Sequence, residues 1–159
     1  MGNEQMAIIM EFNNLKNRYG KEKPDVFVIV ENERGEILLQ KRSNTEHWEL
    51  PNGVKQPDED HRDVALKPLN EEPGLHLAQL TLYRMFSRED FSSYYSDGDE
   101  IFNDMAIYIS KSYFGYLKSK AVGSAELRFF SLYDLPLNFA ETSRLIVDAY
   151  AADHFWIGG

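Results

Sequence analysis

Trp48-Glu-Leu-Pro-Asn-Gly53 and, after a charged segment, Glu71-Glu72-Pro-Gly-Leu75 frame the most informative part of the chain. Pro51-Asn52-Gly53 has the composition of a tight turn, and the charged residues from Asp58 to Glu72 read as a helix with Glu59 at its acidic start. Pro73-Gly74 stops that helix, because the residue before a proline disfavours helix and glycine suits a C-terminal cap. Glu71 and Glu72 then lie side by side where the helix dipole favours cations. Either this is a solvated helix end, or the two carboxylates share a counter-ion, for which the hard, oxygen-seeking Mg²⁺ is the candidate.

Outward from this segment the chain reads as strands before the central helix, more strands after it and a last helix. Asp25-Val-Phe-Val-Ile-Val30 and Glu36-Ile-Leu-Leu-Gln40 flank Glu31-Asn-Glu-Arg-Gly35, whose glycine can supply a positive φ, and are expected to form a β-hairpin. Strand-like runs recur from Leu77 to Phe86, from Ile101 to Tyr116 with an interruption near Lys111, and from Ala125 to Phe130. Ile8, Phe12, Leu15 and Tyr19, followed by Gly20, read as an amphipathic packing helix. At the other end, Asn138 and Glu141 resemble a capping box, with Leu145, Ile146, Ala149 and Tyr150 as the inward stripe of a closing helix. Many strands and few helices predict a mixed sheet covered by helices, an α+β layout within the α/β class. Residues 1–22 are expected to be a helical segment packed on one domain of residues 23–159.

Composition narrows the function classes. At 159 residues, 43% of them hydrophobic, the chain has enough apolar side chain for one core. Seventeen Lys+Arg against 26 Asp+Glu, a net charge of −9, oppose binding to a nucleic-acid polymer or an anionic membrane. Without cysteine there is no disulfide, thiolate metal site or Cys nucleophile. The opening MGNEQMAIIM has too short an apolar run for a secretory signal or membrane span, so a cytoplasmic location is expected. A homodimer is left open.

The spacing of the central segment resembles the Nudix box, G-x5-E-x7-R-E-U-x-E-E-x-G-U with U aliphatic, the signature of the Nudix hydrolases. Gly53, Glu59, Leu69, Glu71, Glu72, Gly74 and Leu75 fall on its fixed positions without a gap. Glu36-Ile-Leu-Leu-Gln-Lys-Arg42 before it, and Leu127-Arg-Phe-Phe-Ser-Leu-Tyr-Asp-Leu-Pro136 after it, are also similar to family elements, so the likeness spans roughly Asp25 to Tyr150. The resemblance implies an α/β/α sandwich and Mg²⁺- or Mn²⁺-dependent hydrolysis of a nucleoside diphosphate linked to another moiety. It further implies that Glu71 and Glu72 are metal ligands.

Three positions depart from the family pattern. Lys67-Pro68 stand where the motif has Arg-Glu, and Asn52 replaces the first glycine of the usual Gly-Gly. In the family that missing glutamate binds metal and is often the candidate base. Positions 68, 71 and 72 share one helical face, so two carboxylates remain of an expected three. An interior proline also deletes the hydrogen bond that an amide there would donate to the Val64 carbonyl and costs about 3 kcal/mol, predicting a kink or break.

Other candidates surround this core set. In the acidic loop Asp97-Gly-Asp-Glu100, Glu100 is the preferred substitute ligand or base, against a plain solvated turn. Lys41 and Arg42 can meet phosphates, and Tyr94 and Tyr95 can stack on a base or simply cover the core. Among the histidines, His47 lies near the predicted site, whereas His61, His76 and His154 read as surface or packing residues. Three functions follow in order: a Nudix-type hydrolase weakened by Pro68, a silent Nudix-fold module that binds nucleotide or protein, and an unrelated scaffold with a chance motif.

Overall fold

The computed structural model of the protein describes residues 7–8, 24–41, 46–70, 75–86, 105–115 and 126–158. In chain order the elements are β1 (Val26–Val30), β2 (Glu36–Lys41), β3 (Trp48–Glu49), β4 (Asn52–Gly53), α1 (His61–Asn70), β5 (Leu75–Leu77), β6 (Thr81–Phe86), β7 (Met105–Ser110), β8 (Tyr113–Gly115), β9 (Glu126–Ser131) and α2 (Glu141–Gly158). A four-stranded sheet runs β4-β1-β7-β6, a three-stranded sheet runs β3-β2-β9, and β5 pairs with β8. Among the described strands β1 and β7 pair in parallel and the other ladders are antiparallel, making the sheet mixed as expected.

β1 is buried along its whole length, because both of its faces are covered. Phe27 and Ile29 join Ile37, Leu39, Met105 and Ile107 beneath Ile146, Val147, Ala149 and Tyr150 of α2. Val26, Val28 and Val30 face the other way and pack with Leu38, Ala106 and Tyr108 against Val64 and Ala65 of α1. The period-2 alternation of side chains thus divides one apolar run between two cores. Ile8, helical with Ala7, is fully buried on the α2 side; Phe12, Leu15, Tyr19 and Gly20 lie outside the described residues.

The hairpin expectation is corrected. Gly35 does adopt φ 76°, and the Asn32 side chain accepts the amides of Arg34 and Glu36 at 3.0 and 2.9 Å, so the turn forms as read. Beyond the single bridge Glu31–Ile37, however, β1 and β2 diverge into different sheets. Each finds its long partner far along the chain, β1 in β7 and β2 in β9. Of the Leu77–Phe86 run, Leu77 ends β5 and Thr81–Phe86 form β6, while the interruption near Lys111 does separate β7 from β8.

Both helix starts differ from the sequence reading. Asp60 opens α1: its carbonyl accepts from Val64 N at 3.1 Å and its carboxylate lies 3.4 Å from Arg62 N, so Glu59 precedes the helix. The helix carries on two residues beyond Pro68, correcting the expected break there. One lost backbone hydrogen bond is a small deficit for a helix whose Val64 and Ala65 are buried against β1. At α2, Ala140 rather than Asn138 accepts the first helical bond, from Arg144 N at 2.9 Å. The Asn138 carbonyl is instead taken by Trp48 N at 2.7 Å, and the Trp48 carbonyl by Ala140 N at 2.8 Å. With Ser143 Oγ accepting Leu50 N at 3.0 Å, the start of α2 is fastened to the strand that leads into Gly53.

A polar chain fastens the rest of α2. The Tyr150 hydroxyl donates to the buried Glu31 carboxylate at the end of β1. Tyr83 stands edge-on to Tyr150 at 5.6 Å and donates to Asp153, which Arg84 also meets at 2.7 Å. Consecutive strand residues normally point to opposite faces; the β6 register shift between Leu82 and Arg84 lets Tyr83 and Arg84 reach one carboxylate. Burial, then the carboxylate partner, pushes both phenols well above the usual tyrosine range, while the Tyr83 hydrogen bond followed by Arg84 holds Asp153 low.

Pro51-Asn52-Gly53 is not a tight turn. Asn52 and Gly53 form an edge strand opposite Phe27 and Val26, and Gly53 lacks a positive φ. Its small size matters for packing, since a Cβ there would fall 2.9 Å from Val64 Cγ1. Gly53→Ala is therefore expected to destabilise the fold by about 1–3 kcal/mol, the range for overpacking. In urea titrations, the loss should shrink in a Val64→Ala background; an equal loss in both backgrounds would refute the contact as its cause.

Candidate functional site

The motif segment is built in three steps. β4 adds to the edge of β1, which fixes Gly53. Asp25, 2% exposed, then binds on three sides: its amide donates to the Gly53 carbonyl at 3.1 Å, its carbonyl accepts Ala106 N at 2.9 Å, and its carboxylate accepts Lys55 N at 2.8 Å. A buried carboxylate is costly unless so employed, and here it sets the direction in which the chain leaves β4. Finally Gln56 N donates to Glu59 Oε1 at 3.0 Å, closing a turn just ahead of α1.

Glu59 and Lys67 form an ion pair across that turn, joining the loop to the last turns of α1. Lys67, which stands at the motif's arginine position, is thereby tethered to the first motif glutamate, a contact the sequence reading did not anticipate. Arg62 secures the same helix from the other side by donating to the Leu80 carbonyl at 2.9 Å. Leu75, at the aliphatic end of the motif, is buried in the α1-side core. Pro68 and Leu69 lie on α1. Glu71, Glu72 and Gly74 lie outside the described residues, as do Arg42, Tyr94, Tyr95 and Glu100. Among the described residues no three acidic or histidine side chains stand where they can hold a metal ion. Among them, too, no helix is long and apolar enough to cross a membrane.

Lys41 ends β2 with its ammonium 6.0 Å from the centre of the Trp48 ring. The guanidinium of Arg128 lies 5.0 Å from the same ring and 4.7 Å from Phe130. Sequence reading missed Arg128, although the alternation in Leu127-Arg-Phe-Phe130 places a cation and an aromatic on one face of a strand. It also missed the carboxylate of Asp25, whose apolar followers carried the strand reading and hid its role. On the opposite face, Gln40 Nε2 donates to Glu49 Oε1 at 3.2 Å.

The hydrogen bond from Lys67, then that from the Gln56 amide, holds the Glu59 carboxyl below its ordinary value of 4.5. The pair's contribution to stability is therefore complete above that value and is lost as pH falls through the lower, folded one. In Lys67→Gln, the Glu59 midpoint followed by carboxyl-carbon NMR is expected to move up toward 4.5, and the acid limb of the stability curve to flatten. An unchanged midpoint would show that Lys67 is not the cause and leave the Gln56 amide and the nearby Lys55 charge to account for it.

Comparison with known proteins agrees with this geometry. The NUDIX domain family model matches residues 21–150. RNA pyrophosphohydrolase of Pseudomonas putida (strain F1) is 40% identical over 53 residues, 33% of this chain and 33% of that protein, so the match spans about a third of the relative's length. Among solved structures, a MutT NUDIX hydrolase from Burkholderia pseudomallei superposes with TM-score 0.55 at 22% identity, over 77% of this chain and 96% of that one. The NUDIX domain of Shewanella oneidensis NrtR, solved with ADP ribose, gives 0.53 at 17% identity, over 80% and 86%. These two structures share the fold, and the family model covers most of the chain. With the Gly53 contact and the Glu59–Lys67 tether formed at the motif's own spacing, the chain belongs to the Nudix family.

Proposed function

We propose that the protein is a Nudix pyrophosphohydrolase that cleaves a phosphoanhydride bond in a nucleoside diphosphate linked to another moiety. The observation that carries this reading is the Glu59–Lys67 tether. An ion pair between loop and helix end has a use where the residues just beyond that end must be held in place, and those residues are Glu71 and Glu72. The RNA pyrophosphohydrolase and MutT relatives support the same reaction class.

In this reading Glu71 and Glu72 hold a divalent cation, Mg²⁺ or Mn²⁺, which when bound neutralises the phosphate oxygens. Water attacks one phosphorus, its oxygen forming the new P–O bond as the anhydride P–O bond breaks, and a carboxylate accepts the water's proton. Glu100 is the assigned acceptor, since proline at position 68 can neither bind metal nor take a proton. Lys41 and Arg42 meet substrate phosphates and Tyr95 covers the base. The substrate is a small molecule, not a nucleic-acid polymer, because the chain's net charge of −9 repels an extended polyanion. The protein works in the cytoplasm.

Pro68 favours a second reading, a module that binds nucleotide without hydrolysing it; a NUDIX domain of the same fold has been solved in complex with ADP ribose. A screen of nucleoside diphosphate derivatives with and without Mg²⁺ or Mn²⁺ separates the two. The hydrolase reading expects metal-dependent release of phosphate products, a fall of about a hundredfold or more in Glu72→Gln, and at least a tenfold gain in Pro68→Glu. ADP-ribose bound by parent and Pro68→Glu alike, with no turnover by either, would establish the silent module instead. Parent turnover unaffected by Glu72→Gln would remove the proposed site.

A further inference from the structure

We propose that Lys41 and Arg128, gathered around the Trp48 indole, form a phosphate-binding subsite on the face of the three-stranded sheet that α2 partly covers. The register assembles it. Ile37, Leu39 and Lys41 alternate onto one face of β2, opposite Phe130, Arg128 and Glu126 of β9, with Trp48 of β3 beside Lys41. Ile37 and Leu39 are fully buried, so the face starts within the core and emerges at Lys41 and the exposed Arg128. One apolar surface thus ends in two cations.

Three features suit this place to an anion. First, Arg128 is held by rings rather than by acids: Trp48 and Phe130 meet edge to face at 4.9 Å, with the guanidinium within 5.0 Å of both. Aromatic contact attracts the cation while leaving its N–H groups available to a planar or tetrahedral oxyanion. Second, neither Lys41 nor Arg128 makes an ion pair among the described residues. Glu126 lies directly opposite Lys41 in the register, yet no ion pair joins them, although acids outnumber bases 26 to 17 in the chain. Third, Trp48 is only 7% exposed, so the indole supports the cations and is not an open platform for a base.

The position gives the ligand. β3 continues through Leu50 into Gly53, so the two cations adjoin the strand that leads into the motif loop. A bidentate guanidinium beside an ammonium suits a phosphate or pyrophosphate dianion. Naming it as the substrate's nucleotide phosphate rests on the hydrolase reading; the anion site itself does not.

Titration calorimetry in metal-stripped buffer, with inorganic pyrophosphate, ADP and adenosine as probes, tests it without turnover. The parent is expected to bind pyrophosphate and ADP but not adenosine, more weakly as salt rises. Arg128→Gln and Lys41→Gln should each weaken pyrophosphate binding about tenfold, with Arg128→Lys in between, while far-UV circular dichroism confirms that each variant is folded. Should Arg128→Gln fail to fold, Lys41→Gln and Arg128→Lys carry the same comparison. Undiminished binding in the variants, or none by the parent, overturns the subsite. If no derivative is hydrolysed yet pyrophosphate binding still depends on both cations, the subsite stands and the hydrolase reading falls. If turnover proceeds with the same KM in Arg128→Gln, the reverse holds.

Discussion

Burial of β1 on both faces is the constraint from which the other arrangements follow. Five consecutive residues without a solvent side must be enclosed by hydrogen-bonding strands at both edges and by helices above and below. β4 and β7 meet the first need, α1 and α2 the second. The short β4 suffices at its edge because Pro51 and Asp25 extend the pairing, with Val28 N bonded to the Pro51 carbonyl at 3.0 Å. The motif segment is therefore held in place by the same bonds that complete the central strand.

This coupling explains how polar chemistry is carried beside a dry core. Asp25 and Glu31 stand at the two ends of β1, both buried, each with its carboxylate engaged. Asp25 directs the loop toward α1; Glu31, through Tyr150, ties α2 to the opposite end. The α1 face thus carries the motif tether, whereas the α2 face carries the aromatic and cationic cluster of Trp48, Lys41 and Arg128. Trp48 links the two, because its backbone is hydrogen-bonded into the start of α2 while its chain continues to Gly53.

Motif spacing and apolar runs in the sequence already indicated the mixed sheet, the stripe of α2, the positive φ of Gly35 and the family. Strand partners were not legible, since Val26–Val30 and Glu36–Lys41 look like a hairpin until the demand for double-sided burial draws them into separate sheets. The role of Gly53 was also misread: local composition suggests a turn, and only the approach of Val64 reveals a size limit. Pro68 showed the converse. Helix propensity disfavours it, but the packing of Val64 and Ala65 against β1 carries the helix past it. The alternation around Arg128 put it on a face with Phe130 but did not reveal Lys41 and Trp48 beside them, and the bonds of Asp25 were equally hidden, because those neighbours come from distant parts of the chain.

The divergence of β1 and β2 also bears on how the chain matures during synthesis. Val30 pairs with Ser110 and Glu36 with Ser131, so neither of the first two strands can complete its principal ladder until most of the polypeptide has left the ribosome. Until then two of the most apolar segments wait with bare edges, and they are the ones most exposed to wrong partners. The Asn32–Gly35 turn forms from neighbouring residues and needs none of those distant strands. Because all of its bonds lie within residues 32–36, its closure is independent of the order in which β7 and β9 arrive.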